Sequence, residues 1–176
     1  MHGVAMVLLG YVSLVVQAAL PILLPVADYT PNLLLPIAIF LGITPDISLV
    51  RGSAVAFALG YLYDAFCGSP MGLQTFVMVA SFMVARGAGL RLFPQGPGFQ
   101  ILLAAIMAIL SGGTILALRA IFERQPPFPT DNAASSAAMV LRFAVGTALI
   151  SPLIFAVTRR VDAFARRGDS RSSEVL

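Results

Sequence analysis

Few side chains in this sequence could do chemistry, and they form no recognisable catalytic set. Cys67 is the one cysteine and His2 the one histidine, and neither has a companion at metal-ligand or nucleophile–base spacing. A single cysteine also excludes an intrachain disulfide. Gly-rich phosphate loops, paired-carboxylate motifs and the serine elbow of hydrolases are missing from the sequence. These patterns imply no catalytic residue, no metal site and no cofactor. The side chain that calls for an explanation is Asp64.

Asp64 lies in GSAVAFALGYLYDAFCGSPMG, residues 52–72. Gly52, Ala56 and Gly60 recur every four residues, so on a helix they form a smooth stripe that another helix can approach closely. The next step of four lands on Asp64, and the chain then breaks at Cys67-Gly68-Ser69-Pro70 with Gly72 just beyond. Gly68, Pro70 and Gly72 suit a short reversal that needs unusual dihedrals. An acid in apolar surroundings is costly, and near the end of its own helix the dipole disfavours it. Three roles are open: a carboxylate reaching headgroups and water, a structural ion pair or cap, or proton and substrate coupling. As an ion pair, Arg142 is the expected partner and Arg119 the fallback.

Composition decides where this segment sits. Of the 176 residues 59% are hydrophobic and 11% charged, with mean hydropathy +0.92, against about 25% charged in soluble domains. That is a membrane protein. All eleven basic residues are arginines, scattered through loops and tail, so the net charge of +3 is no nucleic-acid signal.

The expected fold is all-α, with six transmembrane helices at about 3–24, 31–43, 45–66, 72–84 (continuing as helix toward Leu92), 99–118 and 136–157. The first lacks a basic n-region and reads as a retained span. Thr30-Pro31 and Thr44-Pro45-Asp46 read as helix starts, Thr capping and Pro in the first helical position. The second span is short and contains Pro36, so it is expected to be kinked or shielded by its neighbours. Ser81-Ala85-Gly89 and Ala104-Ala108-Gly112 add two more small-residue stripes, expected to pack internally. Residues 1–158 form the membrane domain, and 159–176 an Arg-rich tail expected to be disordered.

With six spans, eight arginines (Arg51, Arg86, Arg91, Arg159, Arg160, Arg166, Arg167 and Arg171) share a side with both termini, against Arg119 and Arg124 opposite. By the positive-inside rule both termini are cytoplasmic, and Arg86 is expected to snorkel to that interface.

At these residues the sequence resembles MreD, the rod shape-determining family. Pro31-Asn32 opens the second span, and Gly60, Asp64, Gly68, Ser69, Pro70 and Gly72 match a G-x-x-x-D-x-x-x-G-[ST]-x-x-G segment. Beyond position 73 the match is one of hydropathy alone. The resemblance implies a non-enzymatic scaffold of the elongation (rod) complex in the bacterial inner membrane. Such a scaffold binds MreC and helps organise peptidoglycan synthesis around MreB, with RodA and its transpeptidase nearby. It also implies a compact bundle similar to the substrate-binding subunits of energy-coupling-factor transporters. Other expected contacts are membrane lipid and no nucleic acid; homodimerisation is left open. The alternative is a vitamin-binding subunit of such a transporter. That class uses polar and aromatic residues from outer loops and often an Ala-x-x-x-Ala pair on the first helix; here Ala18 is followed at four by Ile22.

Overall fold

The LLPIAIFLGI run, Leu34–Ile43, has no side chain that needs water, and it becomes the centre of the molecule as helix α2. Every residue from Leu34 to Gly42 is buried. At about 1.5 Å per residue the helix is about 15 Å long, half the hydrocarbon thickness. It is enclosed by protein, as expected for so short a segment. Pro36 lies in its first turn, where a missing N–H breaks no helical hydrogen bond.

The computed structural model describes residues 2–23, 31–67, 71–89, 97–122 and 133–173. Around α2 stand α1 (His2–Leu23), α3 (Leu49–Cys67), α4 (Leu73–Gly89), α5 (Pro97–Phe122) and α6 (Ala133–Ser173), and no strand occurs among the described residues. Among the described residues three helices are long and apolar enough to cross a membrane, in the windows Gly3–Leu20, Gln100–Leu118 and Ala137–Ala165; α2 and α4 are shorter apolar helices. Length and hydropathy thus support three spans, where the sequence reading expected six.

Side-chain contacts give the helix directions. Thr147 and Phe155 of α6 meet Asn32 and Phe40, eight residues apart in both segments, so α6 runs parallel to α2. Gly42 faces Ala85 and Ile43 faces Gly89, so α4 is parallel to α2 as well. Gly52 faces Phe82 while Gly60 faces Thr75, so α3 opposes α4. Gln17 reaches Tyr63 and Gly3 lies by Val55, which sets α1 alongside α3 in the same direction.

Small residues, the three stripes among them, mark close approaches between helices. A Cβ at Gly60 would run into the Thr75 backbone, and one at Gly42 would come within 2.7 Å of the Ala85 Cβ. Ala56, Ala85, Ala104 and Ala108 are completely buried, and Gly112 packs against Val140 of α6. Without a hydrophobic drive between helices in lipid, such close packing holds a bundle together.

Helix α6 departs most from expectation. It continues through the segment read as a disordered tail, as far as Ser173, giving 41 residues, or about 60 Å. The Ala- and Arg-rich segment extends a helix already nucleated, and extension is far easier than nucleation. Pro152 lies inside it, and lacks the N–H that would bond the Ala148 carbonyl. The Ser151 hydroxyl donates to that same oxygen at 2.8 Å, so the proline leaves no orphan acceptor.

Candidate functional site: a buried polar layer at one end of the bundle

Gly72 begins α4. Its carbonyl accepts the first helical bond, from Phe76 N–H at 2.9 Å, and its φ of +98° is one that only glycine adopts freely. A glycine at this position has no side chain to cap the helix. Asp64 of α3 supplies the missing acceptor. Its Oδ2 accepts from Gly72 N–H (3.0 Å), Thr75 N–H (3.0 Å) and the Thr75 hydroxyl (2.7 Å), and its Oδ1 from Gln74 N–H (2.9 Å). Only 1% of Asp64 is exposed. The carboxylate therefore sits at the positive end of α4's dipole, which opposes the unfavourable dipole at the end of its own helix.

A second cap lies at the same end of the bundle. Asn32 Oδ1 accepts from Leu34 N–H (3.0 Å) and Leu35 N–H (3.1 Å), closing the start of α2. Asn32 N–H donates to Thr147 Oγ1 (3.1 Å), and Leu33 N–H to Gln17 Oε1 (3.0 Å). Gln17 Nε2 in turn donates to the Tyr63 hydroxyl at 3.1 Å. Pro31 is buried beside Asn32. The cap is thus Asn32, and the helix starts at Leu34, three residues later than the Thr30-Pro31 signal suggested.

At the opposite end, Arg86 donates to the carbonyls of Thr44 (2.7 Å) and Pro45 (3.4 Å). Half-buried, it closes the C-terminus of α2, where a cation suits the dipole. The snorkelling expected of Arg86 is replaced by this clasp. The Thr44-Pro45-Asp46 start signal is also overridden. The Thr44 hydroxyl turns back to Phe40 O at 2.8 Å, and Ser48 begins α3 by accepting from Gly52 N–H through its carbonyl at 2.9 Å.

Of the motif residues, Pro31, Asn32, Gly60, Asp64 and Gly72 therefore converge on the junctions of α2, α3 and α4. Gly68, Ser69 and Pro70 lie outside the described residues. Arg142 is on the exposed face of α6, and Arg119 is on α5, its side chain outside the described residues. Gln17, Tyr63, Thr75 and Thr147 were not singled out from the sequence. The only signal was a polar side chain inside a charge-free span, as Gln17 is in α1. Among the described residues no cluster of three His, Cys, Asp or Glu could hold a metal ion. The layer's chemistry is the satisfaction of backbone groups at helix ends. Comparison with family models, curated proteins and solved structures gives no match.

Proposed function

We propose that this chain is an MreD-like scaffold, a non-enzymatic multi-pass protein of the bacterial inner membrane that holds MreC and organises peptidoglycan synthesis to set cell shape. RodA, its transpeptidase and MreB are its further partners in the elongation complex. In this reading all six helices lie in the bilayer and both termini are cytoplasmic. The alternating helix directions support six passes, because a helix enclosed on every side, as α2 is, need not match the lipid thickness. The arginine distribution supports the orientation.

One observation carries the reading. Of the residues on which the family likeness rests, three are engaged in caps and a close helix approach: Asp64 closes α4, Asn32 closes α2, and Gly60 admits the backbone of Thr75. An acid with this many donors around it is poorly suited to move protons or hold cargo, and well suited to fix one helix on another. The fixed bundle then offers a constant outer surface to a partner helix.

The test is co-expression with a one-span, periplasmic coiled-coil MreC and affinity capture in mild detergent. The two chains are expected to elute together in equimolar amount. A monodisperse, folded chain that recovers no MreC refutes the proposal.

A further inference from the structure

Seen along its axis, helix α6 has two faces. Ser151, Phe155, Thr158 and Asp162 follow at steps of four, three and four, and all are buried, so they form the side turned to the bundle. Leu141, Val145, Leu149, Leu153 and Val157 follow at steps of four on the other side, and all are exposed. Between Arg142 and Arg159 no charged residue interrupts the sequence, and every exposed residue is apolar. On a helix long and apolar enough to cross a membrane, such a face lies against acyl chains.

The same face then changes character. Leu153, Arg160 and Arg167 are spaced by seven residues, two turns of helix, so they share a side. Arg159 and Arg160 are exposed, and Arg166 and Arg167 repeat the pair seven residues further along the helix. Two marks of depth put the edge of the hydrocarbon here. Arg142, exposed at the other end of the apolar face, is seventeen residues from Arg159. At about 1.5 Å per residue that is about 26 Å, close to the hydrocarbon thickness of about 30 Å. The second mark is Arg86. Phe40 meets Phe155, and Thr44 and Arg159 lie four residues beyond them in parallel helices, so the Arg86 clasp on Thr44 is level with Arg159.

We infer that this face of α6 is a binding surface for anionic phospholipid, with acyl chains on Leu149 and Leu153 and the headgroup against Arg159 and Arg160. A lipid whose chains lie along that stripe brings its phosphate to the arginines by its own length, and no pocket is needed. Residues 159–171 hold five arginines against Asp162 and Asp169. Asp162 is on the buried side, so the charge presented beside the stripe is positive and an anionic headgroup is preferred over a zwitterionic one. Only the crossing of the bilayer by α6 is required for this, whatever partner the bundle holds.

The chain has no tryptophan, so Leu153→Trp, at a side chain 65% exposed, gives a single fluorescent reporter on this face. The variant is reconstituted in bilayers that mix phosphatidylglycerol and phosphatidylcholine, with brominated chains on one lipid or the other, because bromine quenches only from lipids in contact. Quenching should show phosphatidylglycerol favoured about fivefold at this face, and Arg159→Gln with Arg160→Gln should bring the ratio close to one. Equal quenching by the two lipids, a preference that survives the double substitution, or no quenching by either, as under a covering protein, overturns the inference. A second measurement needs no variant. The wild-type chain in detergent, given equal amounts of both lipids, should retain phosphatidylglycerol preferentially when its bound lipids are weighed by native mass spectrometry; equal retention equally overturns the assignment.

Discussion

Replacing Asp64 by Ala removes the acceptor for three backbone N–H groups and one hydroxyl at the start of α4. Their fates differ. Gly72 is exposed, and its N–H can turn to water. The Thr75 hydroxyl can rotate toward a backbone carbonyl. The N–H groups of Gln74 and Thr75 are buried and fixed in place, and each unsatisfied donor of this kind costs about 1–3 kcal/mol. Adding the lost interaction between carboxylate and dipole, Asp64→Ala is expected to destabilise the bundle by about 3–5 kcal/mol. Asp64→Asn is milder. An amide oxygen in place of Oδ2 keeps three of the bonds, while Nδ2 then opposes Gln74 N–H, at a cost of about 1–3 kcal/mol. The assay is reversible unfolding in detergent, with hydrogen exchange read at Gln74 and Thr75. Exchange at these two amides should accelerate in Asp64→Ala before the rest of α4 responds. Unchanged stability with unchanged exchange refutes the capping account. So does an equal loss in Arg142→Gln that a charge swap restores, because the acid would then be held mainly by an ion pair.

Other expectations follow from the close contacts. Gly42→Ala puts a Cβ 2.7 Å from that of Ala85 and 2.8 Å from Phe82 O, and should lower stability by about 1–3 kcal/mol. Gly113→Ala meets nothing within 4 Å and should be neutral or stabilising by up to about 1 kcal/mol; thermal unfolding of the two variants side by side checks both. Arg86→Gln should cost about 1–3 kcal/mol by releasing the Thr44 and Pro45 carbonyls, with faster exchange confined to the end of α2. Ser151→Ala should cost about 1 kcal/mol in the wild-type chain and much less beside Pro152→Ala, where Ala148 O regains a backbone donor; a double-mutant cycle reads the coupling.

How much of this was legible beforehand differs from helix to helix. The small-residue stripes were readable because close approach depends on side-chain size at a fixed spacing, and both are written in the sequence. The burial of α2 followed from its being too short to cross the hydrocarbon alone. Asp64 stood out as an acid in the wrong solvent, but its role as a cap was not separable from pairing, because the helix it closes is built eight to eleven residues later. Reasoning from the dipole of its own helix pointed away from the answer. Gln17 and Thr147 were missed for a related reason. Each makes its hydrogen bond to the start of α2, from a helix whose own pattern gives no hint of the contact. The boundary errors at Thr30-Pro31 and Thr44-Pro45 also arise from tertiary competition, Asn32 and Ser48 taking the roles that local signals gave to the threonines.

The length of α6 has a mechanical consequence. Thr147 is hydrogen-bonded at the Asn32 end of the bundle, and the same unbroken helix continues to Ser173, about 39 Å further along its axis. Pro152 removes one backbone hydrogen bond partway along that helix, and the Ser151 hydroxyl keeps the freed Ala148 carbonyl paired. A displacement at its far end is therefore carried along one continuous helix to the joint where α1, α2 and α6 meet.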